Sequence, residues 1–351
     1  MTDRAIPQFE GTFAPVVYCD AGIDLLDQTQ LPESTVVLHL RTVEEVAEAI
    51  CVMRVRGAPA IGITAAYAMA MVAASDGNTI SLETMKQAGE NLRSTRPTAI
   101  NLGWAIDRML GVFMKLNGQP PDVIRNVLLA EARQIHADDI EGNRQIGRSG
   151  ANLLPAEARV LTICNTGALA TGGYGTAFGV LRATHDSGKL EMVYACETRP
   201  RLQGARLTAW ELLQNGIPFK LLSDSAAAYL MSTGGIDAVL AGADRIAVNG
   251  DSANKIGTYS LAVAAKYHGI PMYIVAPTST IDTNAPSGAS IPIEERDEDE
   301  VLAPCGIRFA PEGAAAWNPA FDVTPADLIT AIITEAGVFR PPVDLGGIGA
   351  V

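Results

Sequence analysis

RVLTICNTGALATGGYGTAFG, residues 159–179, is the stretch whose reading decides the fold. Arg159 to Ile163 make a short apolar strand, Cys164 and Asn165 follow it, and a glycine-rich turn then leads into a helix. Strand, polar turn and helix in that order form one βα unit. The same order recurs after LEMVYAC (190–196), IPFKLL (217–222), IDAVLAGA (236–243) and IPMYIVA (270–276). The starts are separated by roughly 20 to 35 residues, room for one helix per crossover. The prediction is an α/β chain whose C-terminal domain is a Rossmann-like parallel sheet with helices on both faces.

In an open parallel sheet the ligand sits beyond the carboxyl ends of the strands. Those positions are polar throughout. They hold Cys164-Asn165-Thr166-Gly167, Glu197-Thr198-Arg199-Pro200, Ser223-Asp224-Ser225 and Asp244-Arg245. Four strand ends thus bring a thiol, carboxylates, hydroxyls and guanidinium groups to one rim.

Upstream the texture differs. FAPVVYCDAG (13–22) and the apolar stretch from Ile23 to Leu26 are divided by the turn former Asp20-Ala21-Gly22, and VVLHL (36–40) follows Pro32. Thr42-Val43-Glu44-Glu45 has the pattern of a capping box, opening a helix toward Met53. Further helices are expected near 60–74, 81–93, 99–116 and 121–148. The prediction is a smaller N-terminal α+β domain, a small antiparallel sheet plus helices, over residues 1–128, with the Rossmann-like catalytic domain over 129–351.

Bulk properties exclude several classes. Forty-eight per cent apolar residues and 19% charged describe a chain able to bury two cores rather than a disordered one. A net charge of -13 opposes general attraction to nucleic acid or an anionic membrane, so an anionic ligand has to be met by a few placed cations. Five scattered cysteines without a CxxC pair suggest neither a disulfide framework nor a zinc site. MTDRAIPQFE (1–10) lacks the apolar segment of a secretory signal. The expectation is a soluble, cytoplasmic protein.

Several residues carry candidate chemistry. Cys164 reads either as a small buried apolar side chain or, beside a glycine-rich helix entrance, as an acid, base or hydrogen-bond donor. Asp244 reads either as a cap or partner of Arg245, or as a carboxyl whose desolvation at a strand end suits proton transfer between sugar oxygens. NGDSANKIGTY (249–259) presents Asn249, Asp251, Asn254 and Lys255 as a turn opening a helix, a solvated loop or a place for a sugar hydroxyl and a phosphate. Arg54-Val55-Arg56-Gly57-Ala58-Pro59 joins two helices, with Pro59 in the first turn of the second; Gly57 beside Arg56 allows a close clamp on phosphate. Arg96-Pro97-Thr98 is a second basic turn before a helix.

Other features point away from cofactors. Gly173-Tyr174-Gly175 begins like a dinucleotide fingerprint, but Phe178 stands where the third glycine belongs. The four histidines (His39, His136, His185, His268) show neither HxH nor HExxH spacing, so no metal site is expected. IPIEERDEDEV (291–301) reads as a solvated acidic loop.

Six long segments in order, VRGAPAIG (55–62), RPTAINLGWAIDRM (96–109), CNTGALATGGYGTA (164–177), ETRPRLQGARLTAWEL (197–212), GADRIAVNGDSANKIGTY (242–259) and IPIEER (291–296), together resemble the methylthioribose-1-phosphate isomerase family. The resemblance implies conversion of S-methyl-5-thio-α-D-ribose 1-phosphate, a cyclic aldose, into the open ketose S-methyl-5-thio-D-ribulose 1-phosphate in methionine salvage, without a cofactor. It places the catalytic thiol on Cys164 and the acid on Asp244. It places ligand contacts on Arg56, Gly57, Ala58, Arg96, Gln203, Asn254 and Lys255, and it suggests a homodimer. Ribose-1,5-bisphosphate and 5-deoxyribose 1-phosphate are rival substrates. Regulatory subunits of the eukaryotic translation-initiation exchange factor resemble the same architecture and supply a non-enzymatic alternative.

Overall fold

The computed structural model describes residues 4–73, 81–96, 99–116 and 118–348. The chain divides into two compact units, Met1–Asn143 with Gly167–Gly175, and Arg144–Thr166 with Thr176–Val351.

In the first unit, Val16–Cys19, Gly22–Leu26 and Val37–Leu40 form an antiparallel three-stranded sheet, as expected. Thr42 then starts the helix Val43–Cys51 with a complete capping box, Thr42 and Glu45 each satisfying the other's backbone amide. The helices Ala58–Val72, Leu82–Thr95, Ile100–Lys115 and the start of Pro121–Ala151 follow. Ala58–Val72 is the most enclosed of these. Its sequence, APAIGITAAYAMAMV, is apolar on all sides and is buried on all sides, with Ile63, Tyr67 and Met69 in the core.

The second unit holds a seven-stranded sheet. From one edge its order is Gly337–Phe339, Ala331–Thr334, Met272–Val275, Ala238–Ala241, Ala158–Thr162, Leu190–Cys196 and Phe219–Leu222. The pairs are parallel except at the first edge, where Gly337–Phe339 runs antiparallel to its neighbour. Side chains alternate between two buried faces. Leu161, Ile163, Val239 and Ile274 point into one apolar layer, and Val160, Leu240, Tyr273 and Val275 into the other. The five strands predicted from the sequence are all present.

Three features differ from expectation. The strands Ala331–Thr334 and Gly337–Phe339 extend the sheet beyond the five predicted, although their local sequence carries no following helix. A separate four-stranded sheet is built from Ile281–Asp282, Arg245–Ala247, Ser252–Lys255 and Phe321–Thr324. Asn254 and Lys255 therefore lie in a strand and not in a turn, because Phe321–Thr324, far downstream, pairs with them. The acidic run is largely exposed, as a solvated loop is, but it is not without structure. It contains the short helix Asp299–Leu302, and Glu300 accepts hydrogen bonds from Arg296 and Arg201. These guanidinium groups hold the Glu300 carboxyl down at about 2 despite the opposing effect of its burial.

Candidate active site

The strand order contains a topological switch point. Ala158–Thr162 and Ala238–Ala241 lie side by side, while the connection from the first leads outward on one side and that from the second on the other. A crevice opens between neighbouring strands where crossovers diverge in this way. Cys164 follows the first of these strands and Asp244 the second. Gly242 makes the approach possible: a Cβ there would lie 2.8 Å from the methyl carbon of Thr166. Only a residue without a side chain lets these two strand ends pack so closely.

Cys164 is 7% exposed and adopts φ +63°, in the left-handed region. For a residue with a Cβ that conformation costs about 1–2 kcal/mol, so surrounding contacts have to impose it. Two threonines do. The Cys164 amide donates to Thr198 Oγ1 at 2.8 Å, and its carbonyl accepts from Thr208 Oγ1 at 2.5 Å. Thr198 donates its own hydroxyl to the Cys196 carbonyl, and the amides of Thr198 and Arg199 donate to the two oxygens of Asp224 at 2.8 and 2.7 Å. Thr208 ends a π-helical turn, Gly204–Thr208, a widened form that recurs at functional sites because it turns one extra residue toward a partner. Next to Cys164, the buried Asn165 donates to Glu211 Oε1 at 2.7 Å and to Thr208 Oγ1 at 3.3 Å.

The second strand end is joined to the small sheet. The Asp244 amide donates to the Ala253 carbonyl at 2.9 Å, which sets Asp244 beside the strand that carries Asn254 and Lys255. Asn254 Nδ2 donates to Thr258 Oγ1 at 2.9 Å, and that hydroxyl donates to the Lys255 carbonyl at 2.7 Å. Lys255, 8% exposed, donates from Nζ to the Ala320 carbonyl at 2.9 Å and lies 4.7 Å from the centre of the Phe321 ring. A buried ammonium retains its charge only with such partners. The amides at the start of the helix Thr258–His268, expected to be open to an anion, are taken: Gly257 and Tyr259 donate to the Asp322 carboxylate. Gln203, 5% exposed, keeps a buried Oε1 without a hydrogen-bond partner among the described residues. Such an orphan acceptor is costly unless a ligand hydroxyl completes it.

In the first unit, Gly57 adopts φ +94° immediately before the helix Ala58–Val72, with Pro59 in its first turn as expected. A Cβ on Gly57 would sit 2.4 Å from the Ala170 carbonyl oxygen, in the loop Gly167–Gly175. Gln28 Nε2 and Asp139 also hold that loop, through the Leu169 carbonyl and the Gly172 amide. Arg56 precedes Gly57 and Arg96 follows the helix Leu82–Thr95, both partly exposed. Pro97 and Thr98, the remainder of that basic turn, lie outside the described residues.

His136 is structural. It is fully buried between the Tyr67 hydroxyl and the Gly172 carbonyl, and burial lowers its pKa to about 4, so it stays neutral. Sequence spacing gave no metal set, yet the antiparallel sheet brings ligand atoms of Cys19, Asp24 and His39 within 4.8 Å of one another. Arg4 ion-pairs with the same Asp24 carboxylate at 2.7 Å, meeting its charge. Cys196 is enclosed in the core, and burial pushes its thiol pKa far up. The roles of Thr198, Thr208, Glu211 and Asp322 were not read from the sequence.

Comparison with known proteins adds the following. The Initiation factor 2 subunit family matches residues 54–341. A curated relative, the methylthioribose-1-phosphate isomerase of Desulforudis audaxviator, is 54% identical over 325 residues, 92% of this chain and 93% of the relative. The crystal structure of 5-methylthioribose 1-phosphate isomerase from Pyrococcus horikoshii superposes with TM-score 0.88 at 46% identity, covering 94% of this chain and 93% of that one. A structure named translation initiation factor eIF-2B, subunit delta, from A. fulgidus gives TM-score 0.83 at 42% identity, covering 94% and 96%.

Proposed function

This chain belongs to the Initiation factor 2 subunit family and, within it, to the methylthioribose-1-phosphate isomerases, and from that premise we propose how its residues perform the reaction. The chain isomerises S-methyl-5-thio-α-D-ribose 1-phosphate to S-methyl-5-thio-D-ribulose 1-phosphate, a step of methionine salvage. Phosphate on C1 prevents the ring from opening as a free sugar does. A proton has to reach the ring oxygen as its bond to C1 breaks.

Asp244 gives that proton. Cys164 assists the transfer of hydrogen from C2 to C1: the C2–H bond breaks, a C1–H bond forms where the ring oxygen has left, and the C2 hydroxyl releases its proton as C2 becomes the ketone. One proton is given and one released, and the oxidation is internal to the sugar, so the chemistry balances without an added redox partner. The observation that carries this reading is the placement of Cys164 and Asp244 at the ends of the two strands that flank the switch point. The strained, doubly anchored backbone of Cys164 supports it, since such strain accompanies functional positions.

On a chain of net charge -13 a phosphate has to be met by placed cations, and the candidates are Arg56 and Arg96 in the first unit and Lys255 in the second. Gly57 and Ala58 offer backbone amides at the start of a 15-residue helix. Gln203 Oε1 and Asn254 meet sugar hydroxyls, which completes the orphan acceptor of Gln203. The cellular site is the cytoplasm, consistent with five free cysteines and with no helix among the described residues long and apolar enough to cross a membrane. The chain works as a homodimer. Tyr259, Val263 and Tyr267, four residues apart along the helix Thr258–His268, leave an exposed apolar stripe that a second copy covers.

The likeness to the eIF-2B subunit favours one other reading, a regulatory scaffold. Incubating the purified chain with S-methyl-5-thio-α-D-ribose 1-phosphate, ribose 1,5-bisphosphate and 5-deoxyribose 1-phosphate separates them. The highest kcat/KM on the methylthio sugar supports the assignment. No turnover of any of the three supports the scaffold.

A further inference from the structure

Asp322 is a partly buried carboxylate on the strand Phe321–Thr324, and both its oxygens are committed to another segment. Oδ2 accepts the Gly257 amide at 2.7 Å and Oδ1 the Tyr259 amide at 3.0 Å. Asp322 thereby caps the helix Thr258–His268 from a neighbouring strand, where a residue of the helix's own chain segment normally does so. Gly257, at φ +104°, lies two residues beyond Lys255.

The same strand fixes the lysine itself. Asn254 pairs with Asp322 and Lys255 with Phe321 in the antiparallel ladder. The Ile256 amide and Lys255 Nζ both donate to the Ala320 carbonyl, at 3.1 and 2.9 Å. Every residue from Asn254 to Gly257, and Tyr259 after them, is thus tied to 320–322. Burial pushes the Asp322 carboxyl up to about 6, against the pull of the two amides and of Lys255, the charged side chain that faces it. An acidic group kept at that cost beside a ligand-binding lysine calls for a reason beyond helix capping.

We propose that Asp322 is a positioning residue for substrate phosphate, acting through Lys255 by clamping the backbone on either side of the turn that follows it. The inference rests on the reading above that Lys255 holds the phosphate. Asp322 itself touches no reacting atom. It closes the turn that sets where the Lys255 ammonium ends, and it occupies the helix-start amides so that phosphate is directed to the lysine.

The test is a set of steady-state kinetics on S-methyl-5-thio-α-D-ribose 1-phosphate with Asp322→Ala, Asp322→Asn, Lys255→Ala and the Asp322→Ala/Lys255→Ala pair. A purely structural loss lowers the folded fraction and hence apparent kcat, leaving KM alone. Positioning predicts that Asp322→Ala raises KM about 10-fold or more, within the range for losing hydrogen bonds to a charged group, with kcat changed less than about threefold. Asp322→Asn, which keeps one acceptor but turns an NH2 toward the other amide, raises KM by an intermediate factor, and it serves alone if the alanine variant does not fold. In the Lys255→Ala background, Asp322→Ala raises KM by less than about twofold, since a residue acting through another has no effect once that other is gone. An unchanged KM in the Asp322 variants while Lys255→Ala raises it overturns the inference alone, as does an equal KM increase with and without Lys255. An unchanged KM in Lys255→Ala overturns the phosphate assignment of Lys255 and the inference with it.

Discussion

Thr198 Oγ1 accepts the backbone amide of Cys164 at 2.8 Å, and through this bond the end of one strand fixes the conformation at the end of its neighbour. Thr208 completes the clamp from the other side of the same residue by donating to its carbonyl. Replacing Thr198 or Thr208 by Val removes the bond to Cys164 together with the hydroxyl's second buried bond, to the Cys196 carbonyl or from Asn165, at about 1–3 kcal/mol for each partner left unsatisfied, and lets Cys164 relax from φ +63°. The expected outcome is a fall in kcat of about 10-fold in either variant, with activity recovered in Thr→Ser, which keeps the hydroxyl. Steady-state kinetics of the four variants checks this.

Gly242 is the second point of contact between the strand ends. In Gly242→Ala the new methyl has to displace Thr166, whose methyl carbon lies 2.8 Å from the Cβ position. Overpacking of this kind costs about 1–3 kcal/mol. Thermal unfolding is expected to show that loss, and kcat to fall about 10-fold as the Asp244 strand end moves.

Glu300 links stability to pH. Its carboxyl is held at about 2 by Arg296 and Arg201, against an ordinary value of 4.5, so the unfolded chain binds its proton first as pH falls. The stabilisation is complete above pH 4.5 and is lost as pH drops toward 2. Glu300→Gln is therefore expected to lower stability by about 1–3 kcal/mol at pH 7, with a difference from the parent that shrinks below pH 4.5. Urea unfolding at pH 7 and at pH 3.5 measures it.

His136 gives a parallel expectation from a base. Burial holds it at about 4, below the usual 6.5, so between these values the unfolded state binds more protons than the folded one. Its contribution is complete above pH 6.5 and declines as pH falls toward 4. His136→Gln, which cannot be protonated, is expected to flatten the stability profile between pH 6.5 and 4 relative to the parent, as followed by unfolding at several pH values.

Much of the fold was legible because its signals are local. A run such as VLA in Ala238–Ala241 has no polar side to show, as a strand buried on both faces requires, and Thr42 and Glu45 lie within one helical turn of each other. Strand-end placement likewise singled out Cys164 and Asp244, although their roles came from the resemblance. The rest is set by distant partners. Thr198 and Thr208 meet Cys164 across 34 and 44 residues, and Asp322 reaches Gly257 across 65. Asn254 and Lys255 read as a turn since polar residues around Gly250 favour one, and only pairing with Phe321–Thr324 makes them a strand. Ala331–Thr334 escaped notice because the βα rhythm stops before it: the next strand, Gly337–Phe339, returns antiparallel without a helix.

The most direct measurement is the ratio of kcat between the parent chain and Asp244→Asn on S-methyl-5-thio-α-D-ribose 1-phosphate, with formation of the ketose followed directly. Loss of a positioned general acid predicts a ratio of about 100 or more with KM little altered. A ratio near one would contradict the assignment of Asp244 as the acid that opens the ring.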